Sequence, residues 1–116
     1  MAGLCGGYSS EREISLITGT AVWQALLNKN IDAYRVDTKN EFLNQIAEND
    51  YASAWIALHG FDGEDGKIQS LLEIMDIRYT GSGPLACSLT MNKLFTKRLL
   101  LQNGFKTPDF KLVTHI

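Results

Sequence analysis

A carboxylate set directly after a glycine turn is the first chemically suggestive feature of this 116-residue chain. In Gly6-Gly7-Tyr8-Ser9-Ser10-Glu11-Arg12-Glu13-Ile14-Ser15-Leu16, two glycines permit a sharp turn and a close approach of main chain to a ligand. A glycine turn running into a helix usually suggests phosphate, because the helix N-terminus carries partial positive charge. Here Glu11 and Glu13 already occupy that first turn, and Arg12 offsets them only in part. Two carboxylates repel a phosphate and attract an ammonium, so the stretch reads as a holder for a cationic amine. It also departs from G-x-G-x-x-G, which argues against a dinucleotide. The blander alternative is that Glu11 only complements the helix dipole, an effect of about 0.3–1 kcal/mol. Glu13 stands three residues after Ser10, the spacing of a capping box. Arg12 is either solvated or paired with another element.

His59 follows the apolar run Ala54 to Leu58, at the end of a strand where α/β sites lie. It reads equally as a structural histidine with satisfied bonds. Gly60, Gly63 and Gly66 in one loop imply close packing against a ligand or another backbone. Asp62, Glu64 and Asp65 in that loop invite a metal. Their spacing is not that of an EF-hand, and a calcium cage needs more oxygen ligands. They read as loop and N-cap chemistry for the next helix, and no metal ligand is assigned. Gly81-Ser82-Gly83 could cradle an anion with backbone N–H groups, as could many turns. Lys93 stands early on a helix, where a cation is unfavourable, so it is either a surface lysine or a phosphate contact. Cys5 and Cys87 are the only cysteines, and each reads as a small apolar residue rather than a ligand or half of a disulfide. Trp23, Trp55, Phe95 and the methionines are assigned to the core.

The elements that position these residues alternate. Ala2 to Cys5 is a first strand, short against the usual ~5–6 residues, which suggests residues ahead of Met1. Ile14, Ile17, Ala21, Val22, Ala25 and Leu26 recur at helical spacing and predict a first helix to about Asn28, packed through that stripe. Ile31 to Val36 is a second strand. Thr38 and Glu41 repeat the capping-box spacing before a second helix with an inner face of Phe42, Leu43, Ile46 and Ala47. Ala54 to Leu58 is a strand covered on both faces. Ile68, Leu71, Leu72 and Met75 mark a third helix, and Ile77 to Thr80 a short fourth strand. This is the pattern of an α/β, Rossmann-like open parallel sheet of about four strands with helices on both faces. Right-handed crossovers allow the order 2-1-3-4, which sets the Gly6–Glu11 turn beside the His59 loop; 3-2-1-4 is the other allowed order.

After Pro84 the pattern changes. A helical piece from Leu85 to Leu89 leads to Thr90, an expected N-cap for a helix from Met91 to Gln102 that Gly104 closes. Thr107-Pro108 then introduces Phe110 to Val113, an alternating strand. One helix and one strand cannot bury their own faces. The tail therefore reads as the entrance to a second domain, with residues 1–84 as the first domain and 85–116 as the start of a truncated one.

Composition is that of an ordinary globular protein, 45% hydrophobic and 21% charged with net charge −2. This gives no electrostatic footprint for nucleic acid or an anionic membrane. No apolar run approaches the ~20 residues that span a bilayer, and a secretory leader is not evident at Met1. A cytosolic enzyme-like or binding domain is expected.

Taken together, the motifs resemble a known family. The Gly6–Leu16 stretch quoted above looks like the first signature of D-alanine–D-alanine ligases. Ala57-Leu58-His59-Gly60-x-x-Gly63-Glu64-Asp65-Gly66-x-Ile68-Gln69 looks like the next. Tyr79-Thr80-Gly81-Ser82-Gly83, Met91-Asn92-Lys93-x-x-x-Lys97 and Thr107-Pro108 continue the series. The resemblance runs through essentially the whole chain in order. It implies that residues 1–84 are the Rossmann-like domain preceding an ATP-grasp module, and that residues 85–116 begin its central domain. It further implies an ATP- and Mg2+-dependent reaction joining two D-alanines in the cytoplasm for peptidoglycan precursors. In that reaction ATP phosphorylates the carboxylate of the first D-alanine, and the amine of the second attacks the acyl phosphate.

Residue by residue, Glu11 matches the glutamate that binds the first D-alanine's ammonium, and Ile14 an apolar position near its methyl. His59 matches a histidine beside the same substrate, as orienter or proton handler. Ser15 joins Glu11 and His59 in the catalytic set as a supporting residue, and Lys93 matches a lysine that contacts nucleotide phosphate. Asn92 stands where the family usually has aspartate. The magnesium ligands and most ATP contacts of the family fall outside this chain, so the chain alone is expected not to turn over. A homodimer through this domain is also implied. A non-catalytic α/β binding or interaction module is the alternative from another class, and exposed apolar faces on the Met91–Val113 tail are expected to favour self-association.

Overall fold

Parallel pairing organises the molecule, as seen in a computed structural model that describes residues 1–39 and 41–113. The elements in order are β1 (Ala2–Cys5), α1 (Arg12–Leu27), β2 (Tyr34–Asp37), α2 (Phe42–Glu48), β3 (Ser53–Ile56), α3 (Lys67–Ile74), β4 (Arg78–Tyr79), α4 (Pro84–Met91) and α5 (Lys93–Gln102). The strands form one parallel sheet in the order β2-β1-β3-β4. Central β1 sets Leu4 beside Val36 on one side and Ile56 on the other. Of the two orders that handedness allowed, 2-1-3-4 is the one observed. Strands β2, β3 and β4 are each shorter than their apolar runs suggested.

Alternation along the strands sends Ala2, Leu4, Val36 and Ala54 to one face, where they meet Ile46 of α2 and Ile68 and Leu72 of α3. Leu4 and Leu72 are fully buried there, and each such leucine contributes about 1.5–3 kcal/mol of burial. Cys5 and Ala57 lie on the other face, against Gly19 of α1. This helix docks through only part of the predicted stripe, with Val22 and Leu26 half-buried. Ile14 and Ile17 are 55% and 66% exposed, while Ser15 and Gly19 are buried. The reason is close approach: a Cβ added at Gly19 would lie 2.6 Å from Cys5 Cβ. Seated that close on small residues, α1 turns Ile14, Ile17, Ala21 and Ala25 outward.

Helix ends also differ from expectation. Neither predicted capping box forms: Glu11 occupies the N-cap of α1 and Glu41 that of α2, each without a side-chain cap hydrogen bond. Thr90 lies inside α4, and its hydroxyl donates to Ala86 O. The N-cap of α5 is Asn92, whose side chain accepts from Phe95 N–H at 3.1 Å. Gly104 does close α5, with φ +76° and a bond from Phe105 N–H back to Leu100 O, the return contact of a Schellman end. Phe110–Val113 pairs with no strand among the described residues. Phe95 is 54% exposed rather than core, and Leu101, Phe105 and Leu112 are likewise exposed. The predicted apolar face on this tail is therefore present. Residues 114–116 of the expected tail lie outside the described residues.

Candidate functional site

The connections leaving β1 and β3 run to opposite faces of the sheet, and the crevice between them is where an open α/β sheet binds its ligand. Three hydrogen bonds hold its two lips together. The Ser15 hydroxyl, fully buried, accepts from Gly6 N–H and donates to Ala57 O, both at 2.8 Å. The Ser9 hydroxyl donates to His59 O at 2.9 Å. Ser15 thus sits beneath the crevice, with its hydroxyl committed to main chain on both lips.

Glu11 stands on the rim. Its carboxylate lies against the loop after β3, so close that a Cβ added at Gly60 would fall 2.5 Å from Oε2. Gly60 also has φ +67°, a conformation open to glycine at little cost. Two independent demands for glycine therefore meet at one position, and both serve to seat Glu11 beside His59. Among the described residues Glu11 forms no ion pair. Its charge is left to a ligand or to solvent. Ile14, one helical turn on, is exposed next to it.

Arg12 is the inter-element partner, with Asp37 at the end of β2. Its guanidinium donates to Asp37 Oδ1 at 2.9 Å and Oδ2 at 2.5 Å, and to Gly7 O at 3.1 Å. These hydrogen bonds from Arg12, helped by the N–H groups of Lys39 and Gly7, hold the Asp37 carboxyl at about 2. The pair is neutral as a unit, so the charge of Arg12 is spent on Asp37 rather than on Glu11 and Glu13, and it ties the glycine turn to β2. Asp37 was not identified from the sequence, because nothing in local spacing links it to Arg12 across 25 residues.

His59 lies between two neighbours. Its Nε2 is 3.3 Å from Thr18 Oγ1 on α1, and its Nδ1 is 3.8 Å from Glu64 Oε1. Behind it opens a cavity of about 460 Å³, lined by His59, Glu64, Gln69, Ser82, Cys87 and Thr90 among others. Gln69 donates to Gly63 O at 2.8 Å and so braces the loop, while its buried Oε1 has no partner among the described residues.

The acidic loop behaves as loop chemistry. Lys67 Nζ reaches Asp62 at 2.6 Å and Asp65 at 3.1 Å, and Asp65 accepts from the N–H groups of Asp62 and Lys67. Burial opposes ionisation of Asp65, yet these bonds leave its carboxyl below its ordinary value. No group of three or more His, Cys, Asp or Glu side chains that could hold a metal occurs among the described residues. Cys5 is buried, and desolvation pushes its thiol up, as befits an apolar packing residue.

The structure thus brings Glu11, Ile14 and His59 to one rim and sets Ser15 under it. Lys93 is elsewhere, exposed at the start of α5, where it lines a separate cavity of about 220 Å³ with Lys97 and Phe110. Lys97 is engaged with Thr107 Oγ1 and Pro108 O.

The family model for the D-ala D-ala ligase N-terminus matches residues 38–82. A D-alanine–D-alanine ligase from Bordetella pertussis is 49% identical over 110 residues, which cover 95% of this chain and 35% of the relative. One from Carboxydothermus hydrogenoformans is 50% identical over 107 residues, covering 92% and 34%. Among solved structures, D-alanine–D-alanine ligase from Bacillus anthracis matches with TM-score 0.83 and 32% identity, over 93% of this chain and 36% of that one. Its complex with ATP gives 0.82 and 33%, over 93% and 37%. The chain spans about a third of the length of the curated relatives it matches. Over the length it shares with them, the chain is similar in sequence and in fold to the N-terminal part of D-alanine–D-alanine ligases.

Proposed function

We propose that this chain is the N-terminal part of an ATP-dependent cytoplasmic ligase that joins two D-alanines into D-alanyl-D-alanine for peptidoglycan precursors, and that the chain alone is inactive. The observation that carries this reading is Glu11. Its carboxylate has no ion pair within the described residues and is seated at the sheet's switch point against Gly60. It is placed to accept hydrogen bonds from the ammonium of the first D-alanine, while Ile14 offers an apolar surface to the methyl group. His59 presents its ring to the same substrate, and Ser15 keeps both lips of the crevice in register from below.

When bound, ATP would supply the phosphoryl group that turns the first carboxylate into an acyl donor, with Mg2+ balancing phosphate charge. Lys93 fits a phosphate contact: it is an exposed point charge at the start of a ten-residue helix, where backbone N–H groups also point outward. The described residues offer no cluster for the metal. In a protein of the relatives' full length, Glu11→Gln should lower kcat/KM for the first D-alanine by about 2–5 kcal/mol, thirtyfold or more. Unchanged kinetics for that substrate would remove Glu11 from the site.

A homodimer is part of the same proposal, supported by the apolar side chains that α1 turns outward at Ile17, Ala21 and Ala25. Sedimentation of the Ile17→Asp variant tests it. A dimer that survives the change would place the interface elsewhere.

A further inference from the structure

We infer that Thr18 is a positioning residue that decides which nitrogen of His59 carries the ring proton; the inference rests on His59 serving the substrate crevice proposed above. Thr18 Oγ1 lies 2.9 Å from Ile14 O and 3.3 Å from His59 Nε2. A hydroxyl has a single proton to give, and a carbonyl oxygen can only accept. Two oxygens at 2.9 Å with no proton between them would repel, so the Thr18 proton belongs to Ile14 O. What the hydroxyl turns toward His59 is then a lone pair. Nε2 must meet it as N–H.

On the far side of the ring, Glu64 Oε1 lies 3.8 Å from Nδ1. A carboxylate there draws a proton to Nδ1. Neutral imidazole has one N–H, and two acceptors compete for it. Thr18 is the nearer, and the only one of the two within hydrogen-bond range. The proton is therefore fixed on Nε2, and Nδ1 keeps its lone pair toward Glu64 and the 460 Å³ cavity. Nδ1 is the nitrogen that accepts a hydrogen bond or a proton from a ligand. A second ring proton would arrive on Nδ1, facing a carboxylate already in place to pair with it. Thr18 sits one helical turn after Ile14 and two after Glu11, so one face of α1 sets both the charge and the proton geometry of the crevice.

The test is a long-range 1H–15N correlation spectrum of the chain labelled with 15N-histidine, which separates N–H from lone-pair ring nitrogens. A His59→Gln variant assigns the His59 signals against those of His115. Neutral His59 should be mainly Nε2–H. Thr18→Val removes the acceptor, and the ratio of Nε2–H to Nδ1–H should fall about fivefold, the factor one net hydrogen bond commands. Thr18→Ser should restore it, and Thr18→Ala gives the same readout as valine if branching disturbs the helix. An Nδ1–H majority in the unmodified chain, an unchanged ratio on losing the hydroxyl, or no rescue by serine would overturn the inference. These spectra need no substrate. A chain that failed to bind D-alanine would sink the functional reading and leave the tautomer standing.

Discussion

The two faces of the sheet are held by different physics. Under α2 and α3 lies a continuous apolar layer in which Leu4, Ile46 and Leu72 interdigitate. Under α1 the contact is made by Gly19 against Cys5 and Ala57, by Ser15 bridging two strands, and by the Arg12–Asp37 pair. The first face supplies stability through area. The second supplies registration: each hydrogen bond fixes one atom of the crevice, and small residues let the helix approach closely enough to make those bonds. The function proposed above draws on the second face, where Glu11 and Thr18 belong to α1 and its cap.

Substitutions on each face should separate the two. Leu72→Ala should cost the most, about 2–5 kcal/mol of unfolding free energy, with the affinity of a surviving fold for D-alanine little changed. Denaturant titration checks the first number. Ser15→Ala should cost about 2–4 kcal/mol, because it leaves the buried Gly6 N–H and Ala57 C=O unpaired. Unlike the leucine change, it should also loosen the crevice, seen as faster amide exchange at Gly6 and His59. Equal exchange in both variants would erase the distinction between the faces.

Asp37→Asn should be milder and should carry a pH signature. The Asp37 carboxyl sits at about 2 against an ordinary 3.8. Its contribution is therefore complete above the unfolded value and disappears as pH falls from about 4 toward 2. The unmodified chain should lose stability through that window more steeply than the asparagine variant. Parallel curves would show that the pair contributes nothing. Ile17→Asp, on the outer side of α1, should shift the stability of the monomer, measured at low protein concentration, by no more than about 0.5 kcal/mol.

Much of this was legible in the sequence. Alternating strands and helices marked the parallel sheet, and crossover handedness left two orders, of which the observed one sets the Gly6–Glu11 turn beside the His59 loop. What escaped was the identity of the docking faces. Hydrophobic periodicity finds where apolar side chains recur, and on α1 that stripe is Ile14-Ile17-Ala21. It is blind to a helix that seats itself on glycine and serine because the strand below offers only Cys5 and Ala57. The capping boxes failed for a related reason: Ser9, not Ser10, meets Glu11 N–H at 3.2 Å, once the turn's path is set by contacts with distant strands. Alternation at Phe110–Val113 likewise needs a partner strand that local sequence does not carry. Asp37 and Thr18 became visible only when β2 and α1 were in place.

The tight seat of α1 on Cys5 has one more consequence. With Gly19 pressed over it, the sulfur is sealed from reagents until the helix lifts away from the strand. The rate at which a thiol probe reaches it therefore counts those departures, and turns a buried atom into a clock for the lifting of α1 from the sheet.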